Sequence, residues 1–314
     1  MDAPRLFTQA ELDALCLSPR QQMEQALSDG DPRAAKSKYG ELEEAFFAFH
    51  AIYYQWIASN QEFIFERWGH EALVKAAPIG EVLVAALARR LSVGQVLNCT
   101  RYASERMGSL IDAGRRADAL DLCAYMEKGI REVHDLYREW TSLLLSRVYR
   151  EGAVEALEGC LRHSSEKWWM PTMMRDIALE PAQRLRNWVK LLLANFATLG
   201  VEEDDEKFTI VQAPCGSCSR QVLDGCYGPP LDLAVVREKH PITFNRGDVS
   251  VYRSHIAVMH TIMPIERIGA PWPAMVCPEG MSGGPCRVYL YKNPRTAAPE
   301  HYQMVGMKRP LPTA

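Results

Sequence analysis

Five of the nine cysteines (Cys215, Cys218, Cys226, Cys277 and Cys286) fall in one stretch of the last third of the chain, interleaved with His240, His255 and His260. Thiolates and imidazoles are the side chains that hold zinc, and with other geometries iron. Cys215-Gly216-Ser217-Cys218 is a CxxC directly after an apolar, β-branched run. That spacing lets two thiolates converge on one tetrahedral ion. It also suits a redox dithiol or a pair of small packed thiols. The proline before Cys215 and the Gly-Ser inside describe a tight loop, whose backbone N–H groups can face a carboxylate. Cys277 and Cys286 bracket the turn Pro278-Glu279-Gly280-Met281-Ser282-Gly283-Gly284-Pro285, so a second ligand pair would sit on a hairpin, a rigid support for a metal site. The second CxxC of a zinc ribbon is absent. Cys215, Cys218, Cys277, Cys286 and His255 are therefore the candidate metal ligands. Zinc is the first expectation and iron the alternative.

His255 and His260 are five residues apart. On an α-helix they do not share a face as an i, i+4 pair would, which predicts at most one of them at the metal. His240 precedes Pro241 and so belongs to extended or turn backbone. An open coordination position would activate water or polarise a carbonyl, and Glu266 and Glu279 are the candidate general bases. If Cys215 is not a ligand, it becomes a nucleophile, with a histidine lowering its pKa.

The run MVCPEGMSGGPCRVYLYK, Met275 to Lys292, resembles the end of the vinyl-four-reductase domain and its relatives. These include zinc-bearing sensor domains of aromatic-responsive regulators and aminothiazoline-carboxylate hydrolases. The likeness spans about residues 250–292. It implies that Cys277 and Cys286 are zinc ligands beside an apolar small-molecule pocket, with an upstream ligand supplied by His255 or His260. The position of the family carboxylate is Ala274 here, which leaves Glu266 as the nearest upstream acid.

A second constellation lies upstream. Residues 23–73 and 107–157 match at a constant offset of 84: Met23/Met107, Gly30/Gly114, Ala35/Ala119, Glu43/Glu127, His50/His134, Tyr53/Tyr137, Trp56/Trp140 and Glu71-Ala72-Leu73/Glu155-Ala156-Leu157. Two copies are too few for a solenoid, so a duplicated helical unit in one pseudo-twofold bundle is expected. Glu and His seven apart share a helix face. His50, Tyr53, His134 and Tyr137 are thus candidate pocket residues near the pseudo-axis. A metal, haem or proton-relay site there competes with plain inward histidines bonded to glutamate or tyrosine.

The elements that must position these residues follow from punctuation and periodicity. Thr8 with Glu11 forms a capping-box signature, and Ser18-Pro19 is a second helix start. Gly30-Asp31-Pro32 is a break. A long helix is expected from 33 to 68, with Leu42, Phe46, Phe49, Tyr53 and Trp56 on one apolar face and Gly69 at its end. A further helix is expected over 71–90, interrupted at Pro78-Ile79-Gly80. Another is expected from Pro181 to Leu199, closed by Gly200. The acidic run 201–207 predicts a solvated link or turn. Strands are expected at 208–213, 271–276 and 287–291, a helix carrying both histidines at 249–262, and a surface tail over 294–314.

The expected fold class is mainly α: a duplicated helical bundle, 1–200, then a small Cys/His-rich α+β domain, 201–314. The net charge of -3 gives no basic surplus for nucleic acid. The longest apolar run, at residues 82–88, is far short of the roughly 20 residues of a membrane span. With no signal-peptide pattern, a cytoplasmic protein is expected, its thiols free or on metal. No Walker loop, Rossmann fingerprint, GxSxG or HExxH occurs. The expected function is a zinc- or iron-dependent enzyme of hydrolase or lyase type acting on a small organic molecule. The alternative is a small-molecule-binding or sensory module with a structural zinc. Either leaves room for a homo-oligomer.

Overall fold

The computed structural model describes residues 5–76 and 93–310. The predicted break at Pro78-Ile79-Gly80 and the apolar run 82–88 lie outside them. The chain is mainly helical, with a small sheet near the C-terminus. No helix among the described residues is long and apolar enough to cross a membrane.

The spine is a pair of long helices, α3 (Pro32–Ala76) and α5 (Arg116–Ser164). Ahead of α3 come α1 (Gln9–Leu15) and α2 (Pro19–Ser28), each opened by a complete capping box, Thr8 with Glu11 and Ser18 with Gln21. Helix α4 (Val93–Asp112) precedes α5. Leu42, Phe46, Phe49, Tyr53 and Trp56 of α3 are all buried, as are Met126, Ile130, Val133 and Tyr137 of α5, so both apolar stripes face the interior. Gly69 interrupts the helix where expected, and a second helical segment continues beyond it to Ala76. It sits at φ 81 and ψ -177 inside α3 as a kink, and Ala153 does the same in α5 at φ 54 and ψ -158. The two kinks are separated by the same 84 positions as the sequence matches. Gly30 and Gly114, also that far apart, both take left-handed φ at the preceding turns.

After α5 the chain runs through a π-turn at Ser165–Trp169 into α6 (Met170–Ile177) and α7 (Pro181–Ala194). Helix α7 stops five residues earlier than expected, because Phe196 turns left-handed (φ 58) and Leu199–Glu203 forms strand β1. The acidic run thus contains the expected turn, at 204–206, but its first residues are strand instead of a solvated link. The Glu203 carboxylate is buried and accepts the Leu6 and Phe7 N–H groups at 2.8 and 3.0 Å, tying the N-terminus to the sheet. Asp204 accepts the N–H groups of Glu206 and Lys207 and closes the turn into β2 (Lys207–Gln212).

The main sheet is antiparallel, in the order β1-β2-β6-β5, with β5 Ala274–Val276 and β6 Cys286–Tyr291. Its register sets up the site. Cys286 pairs with Gln212, and Val276, the residue before Cys277, pairs with Arg287. Cys215 follows Gln212 by three residues. Three neighbouring strands thus deliver their thiols at one end of the sheet. Between β2 and β5 lie α8 (Cys218–Leu223), the short pair β3 (Val235–Val236) and β4 (Val249–Ser250), α9 (Ser254–Ala257) and α10 (Met263–Ile268).

Two further expectations change. The segment 249–262 is not one α-helix: it begins as strand β4, tightens to a 3-10 turn, passes through α9 and widens to a π-turn at Val258–Ile262. The residues after 294 include a short helix, α11 (Glu300–Gln303), and Tyr302 and Val305 are buried. The Tyr302 hydroxyl donates to the Gly269 carbonyl at 3.1 Å. One buried apolar cluster runs from Phe7 to Val305, through both the helical part and the sheet.

Candidate metal centre and aromatic pocket

The CxxC loop can form only because residue 216 is glycine. A Cβ there would lie 1.4 Å from the Asn195 carbonyl oxygen. Arg138, fully buried on α5, donates to the Gly216 and Ser217 carbonyls at 3.2 and 3.4 Å and fixes the loop from beneath. Cys215 and Cys218 then meet at 3.5 Å between sulfurs. The ligand atoms of Cys215, Cys218 and Cys286 all lie within 4.8 Å of one another, and all three side chains are buried. This group can hold a metal ion. Cys277 is buried and lines the same cavity as these three, but its sulfur is not part of this close group.

The supporting groups are polar and specific. The Ser219 N–H points at Cys215 Sγ, at 3.1 Å. The Ser219 hydroxyl donates to the Gly284 carbonyl and lies 3.6 Å from Cys286 Sγ. Arg253 is 1% exposed and donates to the carbonyls of Pro278, Gly280 and Ser282 at 3.0, 2.7 and 3.0 Å. It thereby shapes the whole loop between Cys277 and Cys286. Hydrogen bonds from Cys215, Cys277 and Cys286, with the nearby Arg253 charge, hold Cys218 well below the ordinary thiol range. Cys215 and Cys277 are pushed up by their bonds to Cys218, and Cys286 by its bonds to Cys215, Cys218 and Cys277. Closely spaced thiols, one of which the others help to deprotonate, are the kind of donors a soft cation takes.

The four thiols form one wall of a cavity of about 220 Å³. The facing walls are aromatic: Tyr53 and Trp56 from α3, Trp168 and Trp169 from the first π-turn, Trp188 from α7 and Tyr252. No aspartate, glutamate, lysine or arginine is among the described lining residues. His255 and His260 both line it, their ring centroids 6.0 Å apart. The expectation that only one could face the site assumed α-helical winding. The π-turn closes i to i+5 contacts, which brings residues five apart onto one face. Each ring is anchored by Nδ1 on a backbone carbonyl, Tyr252 for His255 and Trp272 for His260, leaving Nε2 as the other nitrogen. Burial lowers both pKa values, that of His260 to about 3, so both rings are neutral at ordinary pH. The two π-turns are joined where Trp169 Nε1–H donates to the Met259 carbonyl at 2.6 Å.

The other candidates are distributed as follows. His255 lines the cavity but is not in the close group of thiols. Glu266 does not face the cavity: its carboxylate makes a two-pronged pair with Arg162, at 2.7 and 2.9 Å. Glu279 is exposed on the Cys277–Cys286 loop, outside the cavity lining. The general-base role expected of these two has no geometric support. Cys226 is buried in a small separate cluster with Leu143 and Leu233. Tyr53 lines the pocket, with His134 behind it; His50 and Tyr137 lie beyond the lining. Tyr137 and His50 are hydrogen-bonded at 2.7 Å, and Tyr53 and His134 are 3.5 Å apart, so each histidine reaches the tyrosine of the other long helix. Tyr53 and Tyr137 stack, with ring centroids 6.1 Å apart. Both repeat histidines are thus inward and tyrosine-bonded, and no ligand-atom group of the kind seen at the cysteines involves them among the described residues.

Sequence reading overlooked Arg253, Tyr252, Ser219 and the tryptophans as site residues. Adjacent tryptophans such as Trp168 and Trp169 show in a sequence as a cluster but carry no direction. A buried arginine that serves backbone carbonyls leaves no spacing signal.

Comparison of the chain with protein-family models, with curated proteins and with solved structures finds no match.

Proposed function

We propose that this protein binds a small, largely apolar molecule in the aromatic pocket, with a single metal ion held by Cys215, Cys218, Cys277 and Cys286 forming one wall. The observation that carries the reading is that all four thiols belong to the lining of the same cavity as Trp56, Trp168, Trp169 and Trp188. Zinc is the ion these donors suit best. A tetrahedral Zn–S distance of about 2.3 Å implies sulfurs about 3.8 Å apart, close to the 3.5 Å between Cys215 and Cys218. Iron in a four-sulfur site has similar demands. The Ser219 N–H and the arginine-held loop are outer groups of the kind that orient metal-bound thiolates. Four sulfurs leave no open position, which favours a binding or sensory pocket with a structural metal.

A second reading, a metal-dependent hydrolase or lyase, is favoured by His255 and His260. Both imidazoles, with Nδ1 anchored, would present Nε2 to a bound molecule as acceptors, and His255 is the candidate base, since a pKa of about 3 leaves His260 weakly basic. The test begins with elemental analysis of protein purified without added metal, together with a native thiol count. About one zinc or iron per chain with the four thiols shielded until a chelator is added is the expected result. A metal-free protein with all four thiols freely reactive removes both readings. If metal is found, Cys277→Ser separates them. Loss of the fold of the sheet region supports the structural role, while a surviving fold with lost turnover supports catalysis.

We also infer that the helical part descends from an internal duplication. The equally spaced kinks at Gly69 and Ala153 and the crossed histidine–tyrosine contacts support it. A third sequence intermediate between the two copies would test this, and two unrelated closest relatives for the copies would refute it.

A further inference from the structure

The inner cavity does not end at its aromatic wall. A second cavity of about 270 Å³ shares Trp169, Thr172, Trp188 and Leu191 with it and continues outward to Arg175, Asp176 and Asn187. Together the two chambers reach the roughly 300–1,000 Å³ typical of small-molecule sites. Their chemistry differs sharply. The inner chamber offers rings, hydroxyls, imidazoles, thiols and the amides of Asn195 and Gln212, and no aspartate, glutamate, lysine or arginine. The outer chamber has two charged side chains, and they are not equally committed. The Asp176 carboxylate accepts the indole N–H groups of both Trp188 and Trp272, each at 2.9 Å, and Arg184 lies close enough to feel its charge. Its role is to lock the aromatic wall. Arg175 is exposed and makes one weak contact, 3.4 Å to the Thr172 hydroxyl at the neck between the chambers, with no carboxylate partner among the described residues.

We propose that the natural ligand is an amphiphilic monoanion. Its uncharged, ring-sized body occupies the inner chamber, and a carboxylate or similar oxyanion reaches through the neck to Arg175. An arginine fork matches a carboxylate bidentately. The inner chamber cannot host that charge, because a buried anion without a partner carries a large desolvation cost. The anion therefore has to sit at the mouth, and the ligand has to be long enough to span the neck. This rests on the reading of the aromatic cavity as a small-molecule site. It does not depend on which metal the thiols hold.

The test uses three probes with one body and different tails: 4-phenylbutyrate, 4-phenylbutanol and 4-phenylbutylamine. Binding to the full-length, metal-replete protein is followed by tryptophan fluorescence and by calorimetry. The acid should bind about fivefold tighter than the alcohol, the size expected of an exposed arginine–carboxylate pair, and the amine should bind weakest. The preference should shrink as salt rises from about 0.05 to about 0.5 M. Arg175→Gln should bring acid and alcohol to equal affinity while leaving the alcohol unchanged. Thr172→Trp, an exposed position that fills the neck, should weaken all three. An amine or alcohol that binds as tightly as the acid overturns the proposal, as does an acid preference that survives Arg175→Gln. Affinities untouched by Thr172→Trp place the probes elsewhere and overturn it as well. Saturable alcohol binding without an acid preference sinks this proposal alone, whereas saturable binding by none of the three sinks the small-molecule reading with it.

Discussion

Replacing Arg253 by methionine asks whether the loop from Cys277 to Cys286 is held ready for a metal. The guanidinium is buried and donates to the carbonyls of residues 278, 280 and 282. A hydrogen bond involving a charged group contributes about 1.5–3 kcal/mol, so the three together represent a gross of about 4–9 kcal/mol. Much of this returns in the variant. Ser282 is exposed and Pro278 and Gly280 are half-buried, so the freed carbonyls reach water. Methionine also keeps most of the packing of the arginine stem. A net loss of about 3 kcal/mol remains, which lowers the melting temperature by about 4–5 °C in a chain of this size. The loop would then no longer fix Cys277 and Cys286 before the ion arrives, and losing an outer group of this kind weakens metal binding about 10–100-fold. The assay is zinc partition against a chromophoric chelator near neutral pH, with thermal unfolding of the zinc-loaded and stripped proteins. Arg253→Lys, which keeps a charge but not the fork, should fall between the two. If Arg253→Met holds zinc as tightly as the parent and melts at the same temperature, the argument that this arginine organises the ligand loop is wrong.

Four further outcomes follow from the geometry. Gly216→Ala should cost several kcal/mol and release the metal, because its Cβ would collide with the Asn195 carbonyl; chemical denaturation with metal analysis checks this. Acid should destabilise the protein. The buried His260 has a folded pKa of about 3, below its unfolded value near 6.5, so the unfolded state binds the extra proton and stability falls as pH drops below about 6.5. At pH 5 this one group accounts for about 2 kcal/mol, and His260→Gln should flatten the unfolding-versus-pH curve between about pH 6.5 and 4. Glu266→Gln should leave metal content and probe binding unchanged and cost under about 1 kcal/mol, since its pair with Arg162 is partly exposed; a loss of binding would return it to the site. Ala153→Gly should stabilise the protein by about 1 kcal/mol, because φ 54 with ψ -158 is backbone territory of glycine, as a denaturant midpoint would show.

Much of this architecture was readable, and the limits have physical causes. The capping boxes at Thr8 and Ser18 and the buried stripe from Leu42 to Trp56 were legible because local hydrogen bonding and periodicity decide them. The thiols were legible as a group, but their common destination was not: strand register set it, pairing Cys286 with Gln212 over a distance that spacing does not encode. The acidic run at 201–207 was legible as a turn, but the strand before it was not, because Glu203 is used inside, as an acceptor for the N-terminal backbone. Glu266 and Glu279 looked like general bases by proximity in sequence, yet one is matched by an arginine and the other lies on the outside of its loop. His255 and His260 were separated by an assumption of 3.6 residues per turn, and a single widened turn reunited them.

That widened turn has a consequence for how this protein can change. A π-turn is an α-helix with one surplus residue, and the described residues include two, at 165–169 and 258–262, fastened to each other by the Trp169–Met259 contact. Substitutions within them alter what the cavity wall is made of. Deleting one residue would let the helix rewind and swing every side chain beyond that point by about 100°, taking an imidazole or an indole off the wall in one step. The pair is therefore a register lock: one deletion leaves its partner mismatched, and a descendant could retire this pocket while keeping every cysteine.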